Sequence, residues 1–85
     1  MTQASLTTRL AILFATRAHS AAQENESPDW LVASTAEGVA RAYAAAGDPK
    51  AFHHWSALAN RLIKVIADPD DRSLIAGQLS DIDDP

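Results

Sequence analysis

The stretch AFHHWSALANRLIKVI, residues 51 to 66, contains the densest group of chemically capable side chains in the sequence. His53 and His54 are adjacent there, beside Trp55. Neighbouring residues on a helix diverge by about 100°, so two adjacent imidazoles cannot hold one metal ion as a pair spaced by four residues would. We therefore expect neither a metal site nor any other cofactor in this protein, and we interpret both histidines as solvated.

Catalytic chemistry has equally little support. A nucleophilic site needs a Ser, Thr or Cys next to a base that a third group orients. Serines, histidines and aspartates are all present, but no local motif joins them, and the glycines are too isolated to form a phosphate-binding loop. A helical chain of 85 residues seldom encloses a pocket of roughly 300 Å³ or more. We predict that the protein is not an enzyme and has no catalytic residues.

Basic side chains follow one quadrant of the helix predicted for this stretch, and they support an alternative function. A basic helix preceded by another helix and a tight turn can enter a nucleic-acid groove. The net charge of −4 opposes this interpretation, because phosphate backbones attract clustered positive charge. Nucleic-acid binding therefore stays the alternative, and its predicted face consists of Lys50, His54, Arg61 and Lys64.

The acidity is concentrated at the C-terminal end. Residues 65–85 carry Arg72 against six aspartates, which are Asp68, Asp70, Asp71, Asp81, Asp83 and Asp84. Compact acidic proteins can present carboxylates to a surface that normally binds nucleic acid. The tail aspartates Asp81, Asp83 and Asp84 are therefore part of the candidate interaction surface.

Two further residues complete that candidate surface. Trp30 lies near the start of the second predicted helix, and tryptophan is enriched at the centres of protein interfaces. Arg17 projects from the same side of the first predicted helix as three leucines, where an unpaired buried charge would be costly. We expect Arg17 to lie at the edge of the core, to meet an acid such as those of the tail, or to face a partner molecule.

Three small polar residues, each followed by proline, set the positions of the helices. Ser27-Pro28, Asp48-Pro49 and Asp68-Pro69 each combine an N-cap side chain with a proline at the first helical position. Gly47 precedes the second of these pairs, where a left-handed residue ends a helix. These signals predict four helices over about 5–23, 28–46, 49–67 and 69–80. The weak helix formers of STAEG leave a break of the second helix near Gly38 as an alternative.

Apolar residues recur with the 3.6-residue period of amphipathic helices. The predicted inner faces are Leu6, Leu10, Leu13, Phe14, Ala18 and Ala21 in the first helix, Leu31, Val32, Val39, Ala40 and Tyr43 in the second, Phe52, Trp55, Leu58, Ala59, Leu62, Ile63, Val65 and Ile66 in the third, and Leu74, Ile75 and Leu79 in the fourth.

The sequence thus predicts an all-α protein, a small compact bundle of four helices. It forms a single domain over residues 1–85, with 81–85 as a frayed acidic tail. No segment approaches the ~20 apolar residues of a membrane span, and the apolar run 10–15 is too short for a secretory signal, so we expect a cytoplasmic protein without membrane contact. Cysteine is absent, which excludes disulfides and thiolate metal sites.

The predicted function is a small, non-enzymatic module that binds another protein, as a subunit, an adaptor or an inhibitor of a larger assembly. Acidic mimicry of nucleic acid is one way in which such an inhibitor could act. Domains of this size often enlarge their core by self-association, so a homodimer is a further expectation.

Overall fold

The computed structural model describes residues 5–85, which form four helices in the order α1 (Leu6–Glu24), α2 (Asp29–Ala45), α3 (Pro49–Lys64) and α4 (Pro69–Ser80). No strand occurs in that range. The predicted fold, an all-α bundle of four helices, is confirmed. Three of the predicted helices agree with the structure to within one residue at each end, whereas α3 stops three residues earlier than predicted.

Two of the three predicted N-caps are present. Asp48 accepts a hydrogen bond from the Ala51 amide, and Asp68 accepts from the amides of Asp70 and Asp71. The prediction for Ser27 is wrong, because Pro28 itself is the N-cap of α2 and no side chain caps that helix.

The residues around Ser27 have other roles. The Ser27 amide donates to the Ala22 carbonyl at 3.0 Å and so closes the C-terminal end of α1. Asp29, the first residue of α2, accepts from the Ala67 amide at 3.0 Å and ties the start of α2 to the segment after α3.

The α1–α2 turn and the α2–α3 turn each contain one residue in the left-handed backbone conformation. Gly47 has a φ of 71°, as its position before Asp48 predicts, and its amide donates to Ala44. Glu26 has a φ of 50° in the equivalent position after α1, where a side chain makes this conformation costly. The turn after α1 therefore forms without the glycine that usually marks such a turn.

Helix α2 is continuous from Asp29 to Ala45, so the break that we considered near Gly38 does not occur. Several of its side chains are buried, among them Ala33, Ala36, Val39 and Ala40. Packing of this face stabilises the helix over the weak formers of the STAEG stretch.

We expect Gly38→Ala to stabilise the protein by about 1 kcal/mol, since glycine in a helix interior is less favourable than alanine by that amount. A Cβ atom at position 38 meets no atom within 4 Å, so the substitution introduces no clash. Urea unfolding measures the change. Gly47→Ala is the matched control: its Cβ also has free space, but the φ of 71° makes the variant less stable than the wild type.

The hydrophobic core lies between α2, α3 and α4. Its buried residues are Ala33, Ala36, Ala40, Phe52, Ala59, Ile63, Ile66, Ile75 and Leu79. Three of the nine are alanines of α2, which allow α3 and α4 to approach that helix closely. Ile66 and Val39 are the largest side chains with almost no exposed surface.

In α3 and α4, two of the predicted inner residues are exposed. Val65 is exposed because α3 ends at Lys64 and the chain turns there. Leu74 is exposed because only a narrow stripe of α4, including Ile75 and Leu79, faces the other helices, and Leu74 points roughly 100° away from Ile75. The prediction of both as inner residues is wrong.

Helix α1 lies at one edge of the molecule. Within the described residues it packs along α2 and makes no backbone approach to α3 or α4, although His19 reaches Trp55 of α3. None of the nine core residues comes from α1. The molecule is correspondingly flat, with principal extents of 44 × 25 × 16 Å. One long side of α1 is left without a neighbouring helix.

Candidate interaction surface

The outer side of α1 carries an exposed apolar face, which we call the α1 face and which consists of Leu6, Leu10, Leu13 and Phe14. Their exposed fractions are 72%, 40%, 41% and 61%. They recur at intervals of four, three and one residues and therefore share one side of the helix. Four large apolar side chains on one helix side make this the most hydrophobic exposed stripe of the described residues.

The opposite side of α1 faces α2, and it is less apolar. His19 and Ala22 are buried there, and Thr8, Ile12, Ala15 and Thr16 are half-buried. At about 100° per residue, Leu10 and His19 lie roughly 180° apart around the helix. Apart from Ile12, small and polar residues thus attach α1 to α2, while Leu6, Leu10, Leu13 and Phe14 face solvent.

This arrangement corrects the predicted orientation of α1. The expected inner face was Leu6, Leu10, Leu13, Phe14, Ala18 and Ala21, and all six residues are exposed. The sequence period correctly shows that these residues share one side of the helix, but that side faces solvent and not another helix. Close packing against the alanine-rich α2 favours the side of α1 with small residues, Ala15 and Ala22.

Arg17 projects from the α1 face, as predicted, one turn beyond Leu13. It is exposed and forms no ion pair or hydrogen bond within residues 5–85, so the alternative of a contact with the acidic tail is not realised. An exposed arginine at this place has no desolvation cost. Two of the three possibilities for Arg17 therefore remain: a place at the edge of the core and a contact with a partner molecule.

Trp30 occupies the first turn of α2 and is 43% exposed. The structure thus places Trp30 at the surface with a large part of its ring covered. Trp30 lies on α2, whereas Arg17 lies on α1 and the tail aspartates follow α4. The predicted interaction residues are therefore spread over three separate elements.

The acidic tail follows α4. Asp81, Asp83 and Asp84 are all exposed, while Ile82 between them packs against the core. Asp84 lies 3.2 Å from the Nε2 atom of His53 on α3. Both side chains are largely exposed, so the pair contributes little to stability.

The predicted nucleic-acid face is fully exposed on α3: Lys50, His54, Arg61 and Lys64 all face solvent. His54 packs edge-on against Trp55, with ring centroids 5.9 Å apart. The predicted division of α3 into an apolar and a polar side is correct except at Val65. The acidic tail lies close to this helix, since Asp84 contacts its residue His53.

An open groove of about 380 Å³ lies between α3, α4 and the tail. Its lining residues are Phe52, His53, Ser56, Asn60, Ala76, Leu79, Ser80, Ile82 and Asp84. The Ser56 hydroxyl is buried in its wall without a hydrogen-bond partner among the described residues. The groove is larger than we expected for a chain of this length. Two serines, Ser56 and Ser80, line it together with the His53–Asp84 contact. Within residues 5–85 neither serine forms a hydrogen bond to His53: the Ser80 hydroxyl donates to the Gly77 carbonyl, and that of Ser56 has no partner.

His19 is buried, and no spacing in the sequence singled it out. Its Nδ1 atom lies 2.9 Å from the Thr35 hydroxyl, which itself donates to the Val32 carbonyl. Because the hydroxyl proton is used in that bond, Nδ1 carries the proton that is donated to Thr35, and the buried Nε2 atom has no partner. The ring packs edge-on against Trp55 at 5.4 Å. His19 therefore links α1 to both α2 and α3.

Burial lowers the pKa of His19 from its usual 6.5, and the Val32 carbonyl opposes only part of this shift. The unfolded chain then binds a proton at higher pH than the folded chain does, so we expect stability to fall as the pH drops below about 6.5. Thermal unfolding between about pH 7.5 and pH 5 measures this loss. His19→Gln should show a shallower dependence on pH, whereas the exposed His54→Gln should keep the slope of the wild type; equal slopes in all three proteins would contradict the assignment to His19.

Glu37 and Arg41 form a second polar contact that the sequence analysis missed. Glu37 is 5% exposed, and its carboxylate accepts a hydrogen bond from the Arg41 guanidinium one turn later. Arg41 also donates to the Gln78 carbonyl of α4 at 3.1 Å, and its contact with Glu37 raises the pKa of the guanidinium. The signal was present, since Glu37 falls four residues after Ala33 and three before Ala40, on the buried side of α2.

No protein-family model matches the chain, and the searches of curated proteins and of solved structures gave no significant match. Each helix within residues 5–85 is too short or too polar to serve as a membrane span. The same part of the chain contains no group of three His, Cys, Asp or Glu side chains able to hold a metal ion. Function must therefore be inferred from the surface of the chain itself.

Proposed function

We propose that the protein is a non-enzymatic interaction module of the cytoplasm that binds protein through the α1 face, as a subunit, an adaptor or an inhibitor of a larger assembly. The observation that carries the proposal is the orientation of α1, whose more apolar side faces solvent. The largest contiguous apolar patch on the surface of a monomeric protein is often an interaction site.

The area of the α1 face supports this proposal. Its four side chains expose roughly 400 Å² together, which is comparable with the largest apolar patch of a typical monomeric protein. Apolar area of this size gives a large favourable free energy when a partner removes it from water. Arg17 at the end of the face adds a residue type that is enriched where proteins bind.

Acidic mimicry and nucleic-acid binding have weaker support. The tail contributes Ile82 to the core and Asp84 to a contact with His53, so part of it is held against the bundle. That contact places a carboxylate beside the basic side of α3 and lowers the attraction of that side for phosphates. Among residues 5–85, the α1 face has no such competing contact.

Capture experiments with the tagged chain test the proposed function. The wild type is incubated with lysate of the source organism, with and without nuclease treatment, in parallel with Phe14→Glu and Leu74→Glu. Leu74 is a matched control, because it is 61% exposed like Phe14 but lies on α4. We expect the wild type and Leu74→Glu to retain a stoichiometric protein, either a different chain or an untagged copy of this one, and Phe14→Glu to lose it.

Circular dichroism of the three proteins shows whether the substitutions leave the helices intact. Retention by Phe14→Glu at the level of the wild type would contradict the α1 face as the binding site. Loss of the captured protein on nuclease treatment alone would instead favour the basic side of α3.

A further inference from the structure

We infer that the partner of the α1 face is a second copy of the same chain, and that the two α1 helices pair antiparallel about a two-fold axis between Leu10 and Leu13. The inference rests on the proposed function, since it names the partner of that same face. It follows from the spacing of the exposed residues, from the position of Arg17 and from the location of α1 at the edge of the molecule.

The exposed residues of α1 have the spacing of a coiled-coil seam. Leu6, Leu10, Leu13 and Arg17 follow one another at intervals of four, three and four residues, which is the alternation of d and a positions in a heptad. In an antiparallel pair centred between Leu10 and Leu13, each Leu10 meets Leu13 of the second copy. The seam is therefore complementary to itself, as a two-fold interface requires.

Arg17 decides between the two directions of pairing. A parallel pair sets the two Arg17 side chains opposite each other, where like charges repel. The antiparallel pair separates them by roughly 16 Å along the axis, at 1.5 Å of rise per residue. Each Arg17 then lies over Leu6 of the other copy, where its aliphatic stem covers the leucine and its guanidinium reaches water.

Within residues 5–85, no other helix covers this side of α1. Helix α1 packs along α2, and neither α3 nor α4 approaches its backbone. Two copies can therefore meet through α1 without rearrangement of the bundle. Phe14 flanks the seam and adds a further exposed apolar surface to it.

The buried area agrees with a reversible dimer. The four side chains of the α1 face supply roughly 400 Å² from each copy, and the flanking residues of the helix add to this. A standard interface buries about 800 Å² from each partner, and smaller ones belong to weaker complexes. We expect the monomer and the dimer to exchange with concentration rather than to form a permanent pair.

Sedimentation of the purified chain across a concentration series tests the second copy. We expect the mass to rise from the 9.1 kDa of one chain to twice that value in the hundreds-of-micromolar range or below. Leu10→Glu should weaken the association at least about 100-fold, because it places a carboxylate in the central layer of the seam. Leu74→Glu should associate like the wild type.

The direction of pairing has its own test. Leu13→Lys alone should also weaken association, but an equimolar mixture of Leu10→Glu and Leu13→Lys should recover a mixed dimer. In the antiparallel seam this mixture contains one Glu–Lys layer and one Leu–Leu layer, whereas a parallel seam pairs each charge with leucine.

A cysteine experiment gives an independent result, because the chain contains no natural cysteine. Leu6→Cys and Arg17→Cys alter exposed positions, so the bundle should fold in both variants. Under mild oxidation the antiparallel pair predicts a disulfide between the two variants when they are mixed, and little disulfide within either one alone.

Three outcomes would overturn the inference: a monomer throughout the concentration series, a dimer that Leu10→Glu leaves unchanged, or efficient disulfides within each single-cysteine variant. A purified chain that stays monomeric yet captures a different protein through Phe14 removes the second copy and leaves the proposed function standing. Failure of both capture and self-association removes the two together.

Discussion

Ile66→Ala is expected to lower the free energy of unfolding by about 4 kcal/mol, in the upper part of the range for truncation of a buried isoleucine. The Ile66 side chain is 1% exposed and belongs to the core between α2, α3 and α4. Its backbone is also held by hydrogen bonds, since its amide donates to the Ile63 carbonyl and its carbonyl accepts from Arg72 of α4. The chain around it can therefore relax little into the cavity that alanine leaves.

A loss of this size is a large part of the total stability, which for 85 residues is roughly 4–13 kcal/mol. Urea unfolding followed by circular dichroism measures it. Val65→Ala is the control, because Val65 is the preceding residue and is 69% exposed. A similar loss in both variants would mean that the segment after α3, rather than the buried side chain, determines the effect.

The positions of the helices could be predicted from local residues. Asp48 and Asp68 cap α3 and α4 as expected, because an aspartate before a proline satisfies the amides of a first turn without help from the rest of the fold. Gly47 is left-handed for an equally local reason. Ser27 was predicted by the same rule, but α2 begins two residues later at Asp29. The Asp29 carboxylate accepts a hydrogen bond from the amide of Ala67, a residue 38 positions away.

The orientation of α1 could not be predicted in the same way. Amphipathic spacing shows which residues share a side of a helix, but not whether that side meets another part of the chain or a second molecule. Leu6, Leu10, Leu13 and Phe14 were expected to form an inner face, yet they are exposed. The side that packs on α2 depends on close approach between small residues of both helices, which the pattern of one helix does not encode.

Arg17 and Trp30 were predicted as interaction residues from the sequence, whereas the apolar residues of the α1 face were not. Arg17 was singled out because a charge among leucines is costly in a core, and it lies on the exposed α1 face. Trp30 was singled out by residue type, and its 43% exposure keeps it available to a partner. Neither argument identified the four apolar neighbours of Arg17 as surface, because that step needs the position of α1 relative to α2.

Arg41→Met is expected to lower the free energy of unfolding by about 3 kcal/mol. The carboxylate of Glu37 is almost fully buried in α2, and Arg41 is the residue that pairs with it. Removing one member of a buried pair leaves an uncompensated charge, which costs about 3–5 kcal/mol. The half-exposed side chain of Arg41 places the expected value at the low end, and the lost hydrogen bond to the Gln78 carbonyl adds to it.

The double variant Glu37→Gln/Arg41→Met separates the cost of the unpaired charge from the value of the contact itself. Glutamine keeps the shape of the glutamate but carries no charge, so the double variant should be more stable than Arg41→Met alone by about 1–2 kcal/mol. Arg61→Met, an exposed arginine on α3, controls for the general effect of the substitution and should change stability by less than about 0.5 kcal/mol. Equal losses in the single and double variants would show that the hydrogen bond from Arg41 to α4, rather than the buried carboxylate, makes this residue important.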